Sequence, residues 1–256
     1  MLTGPAELVG RDSELAALTD LLGSGRIVTI VGPGGVGKTA LARTVVDRVA
    51  SGQVRDTAYL PACYVVPLAD VDDGDEVRAL VARHLGLHDS GDRGLHAMLG
   101  AGDALVLLDN CEHVVDAAAA VAADLLEVPG LRLLVTSREP LSVVGEHVFA
   151  LGPLEVPDDL EGSVDDSPAV RLFLLRSHAA GAPPVRLEER PDLLRLVRAL
   201  DGLPLALELA AGRSRALSVH DLADRLDRGP DLLRSAARGV PERHRGAVEV
   251  VDWSYR

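Results

Sequence analysis

The segment GPGGVGKT, Gly32 to Thr39, constrains the fold of this 256-residue chain more than any other feature. It has the form G-x-x-x-x-G-K-[ST], and it lies between the apolar run 26–31 and the amphipathic sequence 38–51. This order predicts a buried strand, a glycine-rich loop and a helix. In such a loop, backbone N–H groups surround phosphate oxygens, and the start of the helix favours negative charge. The segment therefore predicts a phosphate-binding loop.

Lys38 is the only lysine in the chain, and the other 25 of the 26 basic residues are arginine. A GC-rich genome favours arginine, but a planar guanidinium does not replace a compact ammonium at a site that needs a point charge. We expect Lys38 to reach the β- and γ-phosphates of ATP or ADP, and the Thr39 hydroxyl to bind Mg²⁺. The nucleotide-contacting residues expected from this segment are Gly32, Gly34, Gly35, Val36, Gly37, Lys38, Thr39 and Ala40.

Composition excludes several other functions for this segment. Aromatic residues make up only 2% of the chain, so its core must be aliphatic. The net charge of −13 argues against direct binding of nucleic acid, and any contact with DNA is expected only through domains outside this chain. Two cysteines give no disulfide framework, and neither a signal peptide nor a membrane-length apolar run is present. We expect a cytoplasmic protein with no membrane partner.

Strand and helix patterns alternate along the chain as far as about Leu154. This alternation predicts an α/β fold, a P-loop NTPase parallel sheet with helices on both faces. An acidic, proline-containing stretch at 155–168 indicates a linker. The patterns that follow are helical, and we expect helices at 168–180, 191–199, 204–211, 219–226 and about 243–255. The predicted domains are a nucleotide-binding domain at 1–155, a small all-helical domain at 156–236 and the start of a further domain at 237–256.

A second acidic group is expected at the end of another strand. Asp109 follows the apolar run ALVLL and would lie at the carboxyl edge of the sheet, where it could hold Mg²⁺. Many P-loop ATPases carry another acid at the next position, but this chain has Asn110, which cannot accept a proton. Glu112 could act on the attacking water instead, or it could be a solvated acid at a helix start. The sequence leaves these two interpretations of Glu112 open.

Arg138 follows the fourth predicted strand, in the sequence VTSRE. An arginine at this edge of the sheet can contact a γ-phosphate and respond to its loss. The alternative is an ordinary surface arginine, one of 25 in the chain. Its position after the strand favours the phosphate contact.

Five segments occur in an order that resembles the NB-ARC/STAND signal-transduction ATPases. The resemblance is greatest to actinobacterial transcriptional regulators of the antibiotic-regulatory and LuxR-like kinds. The segments are LVGRDSEL (8–15), IVGPGGVGKTALA (30–42), LVLLDNCEHV (105–114), LLVTSREPL (133–141) and LDGLPLALELAA (200–211).

The resemblance implies roles that composition cannot supply. Val9, Gly10 and Arg11 would line the adenine pocket, Pro204 would lie near the base and sugar, and Arg138 would be the sensor arginine. Residues 237–256 would begin a winged-helix domain. The implied function is a slow ATPase that acts as an ATP/ADP switch and self-associates on binding ATP. The alternative is a metabolic P-loop enzyme such as a small-molecule kinase, although no acceptor-binding motif is evident.

Overall fold

The computed structural model describes residues 8–53, 62–71, 73–86, 103–157 and 164–229. These residues form two compact units. The first contains the described residues as far as Leu151, except residues 33–37. The second contains residues 33–37 together with the described residues from Gly152 onward. The expected start of a third domain at 237–256 and the predicted helix at about 243–255 lie outside the described residues.

The first unit alternates helices and strands, as the sequence pattern predicts. Its helices are α1 (Asp12–Ser24), α2 (Lys38–Ala50), α3 (Gly74–His84) and α4 (Val115–Leu126). Its strands are β1 (Ile27–Val31), β2 (Ala62–Pro67), β3 (Ala104–Asp109), β4 (Leu131–Ser137) and β5 (Glu146–Ala150). Local chemistry sets these bounds. For example, the Asp73 carboxylate accepts a hydrogen bond from the Asp75 N–H at 3.0 Å and so caps the start of α3.

The strands of the described residues form one parallel sheet in the order β2–β3–β4–β1–β5. The predicted α/β class is therefore confirmed. β3 is buried along its whole length and β4 along nearly all of it, as is typical of the inner strands of a parallel sheet. β2 lies at one edge of the sheet and β5 at the other.

Strand register brings the ends of three strands together. Val31, the last residue of β1, pairs with Ser137 of β4, and Leu108 of β3 pairs with Val135 of β4. Because all of these strands are parallel, the chain leaves β1, β3 and β4 at the same edge of the sheet. Ligands of open α/β sheets bind at this carboxyl edge.

The second unit is helical in all of its described regular elements. Its helices are α5 (Pro168–Ala179), α6 (Arg190–Ala199), α7 (Pro204–Ala211) and α8 (Val219–Asp227), joined in part by single 3₁₀ turns. α5 packs against α7, and α6 packs against α8. Four fully buried side chains, one on each helix, anchor this aliphatic core: Phe173, Leu196, Leu207 and Leu222. In the part of the chain that the structure describes, no helix has both the length and the apolar character needed to cross a bilayer.

Candidate functional site

The loop between β1 and α2 has the backbone that its glycines predict. Gly35 and Gly37 have φ values of +74° and +100°, a region that residues with a side chain rarely adopt. Between them, Val36 is fully buried and fixes the loop in place. The chain therefore turns within residues 32–37, and Lys38 and Thr39 are the first two residues of α2.

The Lys38 side chain is buried. Its ammonium donates a hydrogen bond to the Gly32 carbonyl oxygen at 2.8 Å. Burial lowers the pKa of this ammonium below that of an ordinary lysine, the nearby cation of Arg138 lowers it further, and the carboxylates of Glu112 and Asp109 oppose the shift. Lys38, Asp109, Glu112 and Arg138 are thus close enough to interact electrostatically.

Thr39 and Asp109 are in direct contact. The Thr39 hydroxyl donates a hydrogen bond to Asp109 Oδ1 at 2.7 Å, although 70 residues separate them in sequence. This pair presents hydroxyl and carboxylate oxygens side by side, the donor set that Mg²⁺ prefers. No cluster of three or more His, Cys, Asp or Glu side chains suited to a metal occurs among the described residues.

Thr136 was not singled out by the sequence. Its fully buried hydroxyl donates to Asp109 Oδ1 and accepts from the Asn110 N–H, both at 2.8 Å. This hydroxyl ties the end of β4 to the end of β3 and fixes the orientation of the Asp109 carboxylate. The available signal was a threonine directly after the aliphatic residues Leu133, Leu134 and Val135, but its partner depends on β3 and β4 being neighbours in the sheet.

Arg43 is a second residue that sequence reasoning missed. Its guanidinium Nη2 lies 3.6 Å from Asp109 Oδ2, and its side chain is about half exposed. Arg43 is four residues after Thr39 on α2, so both lie on the same face of the helix. That spacing could have identified Arg43 as a neighbour of the expected metal site.

The chain turns sharply after Asp109. Asn110 has φ 71° and ψ 53°, the left-handed conformation that asparagine tolerates better than most residues. A 3₁₀ turn at Cys111–His113 follows. Cys111 is buried beneath the turn, and burial raises the pKa of its thiol, so this cysteine is a packing residue.

Glu112 and Arg138 form an ion pair, with Glu112 Oε1 and Arg138 Nε 3.3 Å apart. The Glu112 side chain is only 9% exposed, whereas that of Arg138 is 43% exposed. The second oxygen, Glu112 Oε2, is buried and has no hydrogen-bond partner within the described residues. The structure therefore does not place Glu112 as a solvated acid.

The adenine-pocket residues implied by the family resemblance lie just before α1. Gly10 has a φ of +65°, and Arg11 is the N-cap residue of that helix. Arg11 is buried, and its guanidinium forms an ion pair with Glu14 in the first turn. This contact gives Arg11 a structural role at the start of α1, and the adenine contact of Val9, Gly10 and Arg11 remains a prediction.

Pro204 begins α7, where its missing N–H costs nothing. Within the second unit, the next residue, Leu205, donates its N–H to the Gly35 carbonyl oxygen at 3.1 Å. A Cβ on Gly35 would lie 3.0 Å from the Leu205 Cβ, and a Cβ on Gly37 would lie 4.0 Å from the Pro204 Cγ. The Pro204 segment therefore contacts the glycine-rich loop, while its contact with a base or sugar stays a prediction.

The family model described as AAA ATPase domain matches residues 7–252 of the chain. A candidate HTH-type transcriptional regulator of Mycobacterium tuberculosis is 36% identical over 242 residues, covering 92% of this chain and 25% of that protein. An uncharacterized M. tuberculosis protein is 32% identical over 253 residues, covering 96% of this chain and 61% of its own length. The chain thus spans about a quarter of the regulator that it matches.

Two solved structures share the fold at low sequence identity. A signal transduction ATPase with numerous domains (STAND) and a tetratricopeptide repeat sensor, from Pyrococcus horikoshii, has a TM-score of 0.50 and 16% identity, covering 88% of this chain and 33% of that one. The ORC2 protein of Aeropyrum pernix, solved in ADPNP–ADP complexes, has a TM-score of 0.54 and 17% identity. That match covers 95% of this chain and 72% of the ORC2 chain.

Proposed function

Because the chain belongs to the AAA ATPase domain family, we propose that it is the ATP- and ADP-binding switch module of a transcriptional regulator and hydrolyses ATP slowly. The observation that carries this proposal is the contact between Thr39 and Asp109. The hydroxyl of the glycine-rich loop and the acid of a separate strand meet at 2.7 Å, next to the buried ammonium of Lys38. These are the groups that a Mg²⁺–nucleotide complex requires.

Each group has a part in this proposal. The residues from Gly32 to Ala40 hold the phosphates, and Lys38 supplies the positive charge at the β- and γ-phosphates. Thr39 and Asp109 hold Mg²⁺, which neutralises charge on those phosphates when it is bound. Arg138 senses the γ-phosphate, and Val9, Gly10, Arg11 and Pro204 contact the base and sugar.

The regulatory part of the proposal rests on the mycobacterial relatives and on a physical argument. A switch needs a ligand with different affinities for two conformations, and ATP differs from ADP by one phosphate beside Arg138 and Lys38. The same proposal includes a cytoplasmic location and self-association when ATP is bound. Contact with DNA would be made by other domains of the full protein.

Isothermal titration calorimetry with ADP and Mg²⁺ tests the nucleotide site. Lys38→Ala should abolish measurable binding and leave the circular dichroism spectrum unchanged. Arg48→Ala is the matched control, because Arg48 is an exposed cation on the same helix. Equal affinity in wild type and Lys38→Ala would refute the site.

A second measurement tests the switch. The purified chain should retain ADP, and the rate at which ATP replaces bound ADP should be lower than or similar to the rate of ATP hydrolysis. An empty site combined with rapid turnover would favour a metabolic enzyme and refute the switch.

A further inference from the structure

The left-handed turn at Asn110 determines which side chain lies near Lys38. Asn110 uses its N–H to anchor the chain on Thr136, and the 3₁₀ turn that follows redirects the backbone. The Glu112 side chain, which projects from this turn, is largely buried and lies beside Arg138. The residue directly after Asp109 therefore has a backbone role, and the acid three residues after Asp109 lies among the charged groups of the site.

The surroundings of Glu112 differ from those of an ordinary ion pair. Only one of its oxygens, Oε1, faces the Arg138 guanidinium. The other, Oε2, is buried and without a hydrogen-bond partner in the described part of the chain. A buried carboxylate oxygen without a hydrogen-bond partner destabilises the folded state, so its retention calls for a ligand. Glu112 also interacts electrostatically with the Lys38 ammonium, which places it near the expected γ-phosphate.

We propose that Glu112 is the catalytic residue that orients the attacking water and takes its proton, in place of an acid at position 110. This inference rests on the proposed nucleotide site. In the step, the water oxygen forms a bond to the γ-phosphorus while the bond from that phosphorus to the β,γ-bridging oxygen breaks. The bridging oxygen keeps the electron pair and leaves as part of ADP. One proton of the water passes to the Glu112 carboxylate, and the phosphoryl group is released as inorganic phosphate.

The Arg138 ion pair explains how this arrangement limits the rate. Arg138 holds one carboxylate oxygen of Glu112 in an ion pair. A γ-phosphate offers the guanidinium a competing anion, and the exchange frees Glu112 for the water. The rate of hydrolysis then depends on how often Arg138 exchanges Glu112 for the γ-phosphate.

The test is Glu112→Gln, assayed for ATP turnover and for ATP and ADP affinity. Glutamine keeps the shape of the side chain but cannot accept the proton, so turnover should fall at least 100-fold, at the low end of about 10²–10⁴ for a general base. Affinity should hold or rise, because the substitution removes a negative charge from beside Lys38 and Arg138. Affinity for ADP with aluminium fluoride should fall, because that complex requires the oriented water.

Two substitutions of Asn110 provide matched controls. Asn110→Gly removes the side-chain amide, but glycine readily adopts the left-handed backbone conformation and keeps the backbone N–H. ATP turnover should therefore stay within about threefold of wild type. Asn110→Val disfavours that backbone conformation, and turnover should fall although Glu112 is intact.

Unchanged turnover in Glu112→Gln would overturn the inference and leave the nucleotide site standing. Loss of ADP binding together with turnover would give Glu112 a structural role and also overturn it. A wild-type chain that binds ATP without hydrolysing it refutes the inference and the slow hydrolysis in the proposed function, but it leaves the nucleotide site standing. A wild-type chain that binds neither nucleotide refutes the proposed function as a whole.

Discussion

Two buried threonines in adjacent strands should respond in opposite directions to the same substitution. Thr136 in β4 donates a hydrogen bond to Asp109 and accepts one from the Asn110 N–H. Thr29 in β1 is also fully buried, but its hydroxyl has no hydrogen-bond partner among the described residues. Valine has nearly the same shape as threonine, so Thr→Val isolates the hydroxyl at each position.

The contacts give the expected magnitudes. Thr136→Val removes a hydrogen bond to a carboxylate, worth about 1.5–3 kcal/mol, and leaves a half-buried N–H unsatisfied, so the free energy of unfolding should fall by about 3 kcal/mol. Thr29→Val removes a buried hydroxyl whose desolvation is uncompensated, so the free energy of unfolding should rise by about 1 kcal/mol. Thr136→Ser keeps the hydroxyl and loses one methyl group, which should cost about 1 kcal/mol.

Thermal and urea denaturation followed by circular dichroism measure these differences. At about 2–4 °C per kcal/mol for a chain of this size, the Thr136→Val midpoint should fall by about 6–12 °C and the Thr29→Val midpoint should rise by about 2–4 °C. The reasoning is refuted if both valine variants shift the midpoint in the same direction. It is also refuted if Thr136→Val is as stable as Thr136→Ser.

Three further outcomes are expected from the proposed site. Lys38→Arg should bind ADP poorly in calorimetry, because a planar fork does not fit a loop built around a point charge, and normal binding would contradict the argument from lysine retention. ATP turnover of the wild-type chain should stay below about 1 s⁻¹, the low end of common catalytic rates, and tens of turnovers per second in a phosphate-release assay would contradict the switch. Pro204→Ala should weaken ADP binding without changing Lys38, and an unaltered dissociation constant would remove Pro204 from the site.

The sequence predicted the parts of the site that depend on local pattern. Lys38 and Thr39 follow from the loop motif, and Asp109 follows from its position after an aliphatic strand. The run ALVLL predicted β3, and the bounds of α7 were predicted at 204–211, because buried parallel strands and proline-started helices leave clear patterns. These features require knowledge of neighbouring residues only.

The rest of the site depends on which strands are neighbours. Thr136 reaches Asp109 only because β4 lies beside β3, and a single sequence does not state that order. The left-handed conformation of Asn110 likewise emerges from its anchor on Thr136. The burial of Glu112 depends on the strand order and on the conformation of Asn110. The sequence therefore left the role of Glu112 open.

The strand order has a consequence for how the chain folds during its synthesis. β1, which carries the phosphate loop, is hydrogen-bonded only to β4 and β5 among the described strands, and β5 ends about 120 residues after β1. At about 5–20 residues per second, the ribosome needs about 6–24 s to make that interval. During this time β2 and β3 can pair with each other, while β1 waits as an exposed aliphatic strand. β1, with the phosphate loop that follows it, is therefore among the last strands to join the sheet. A chain halted between β3 and β4 would contain the whole loop before either strand that pairs with β1 has been made.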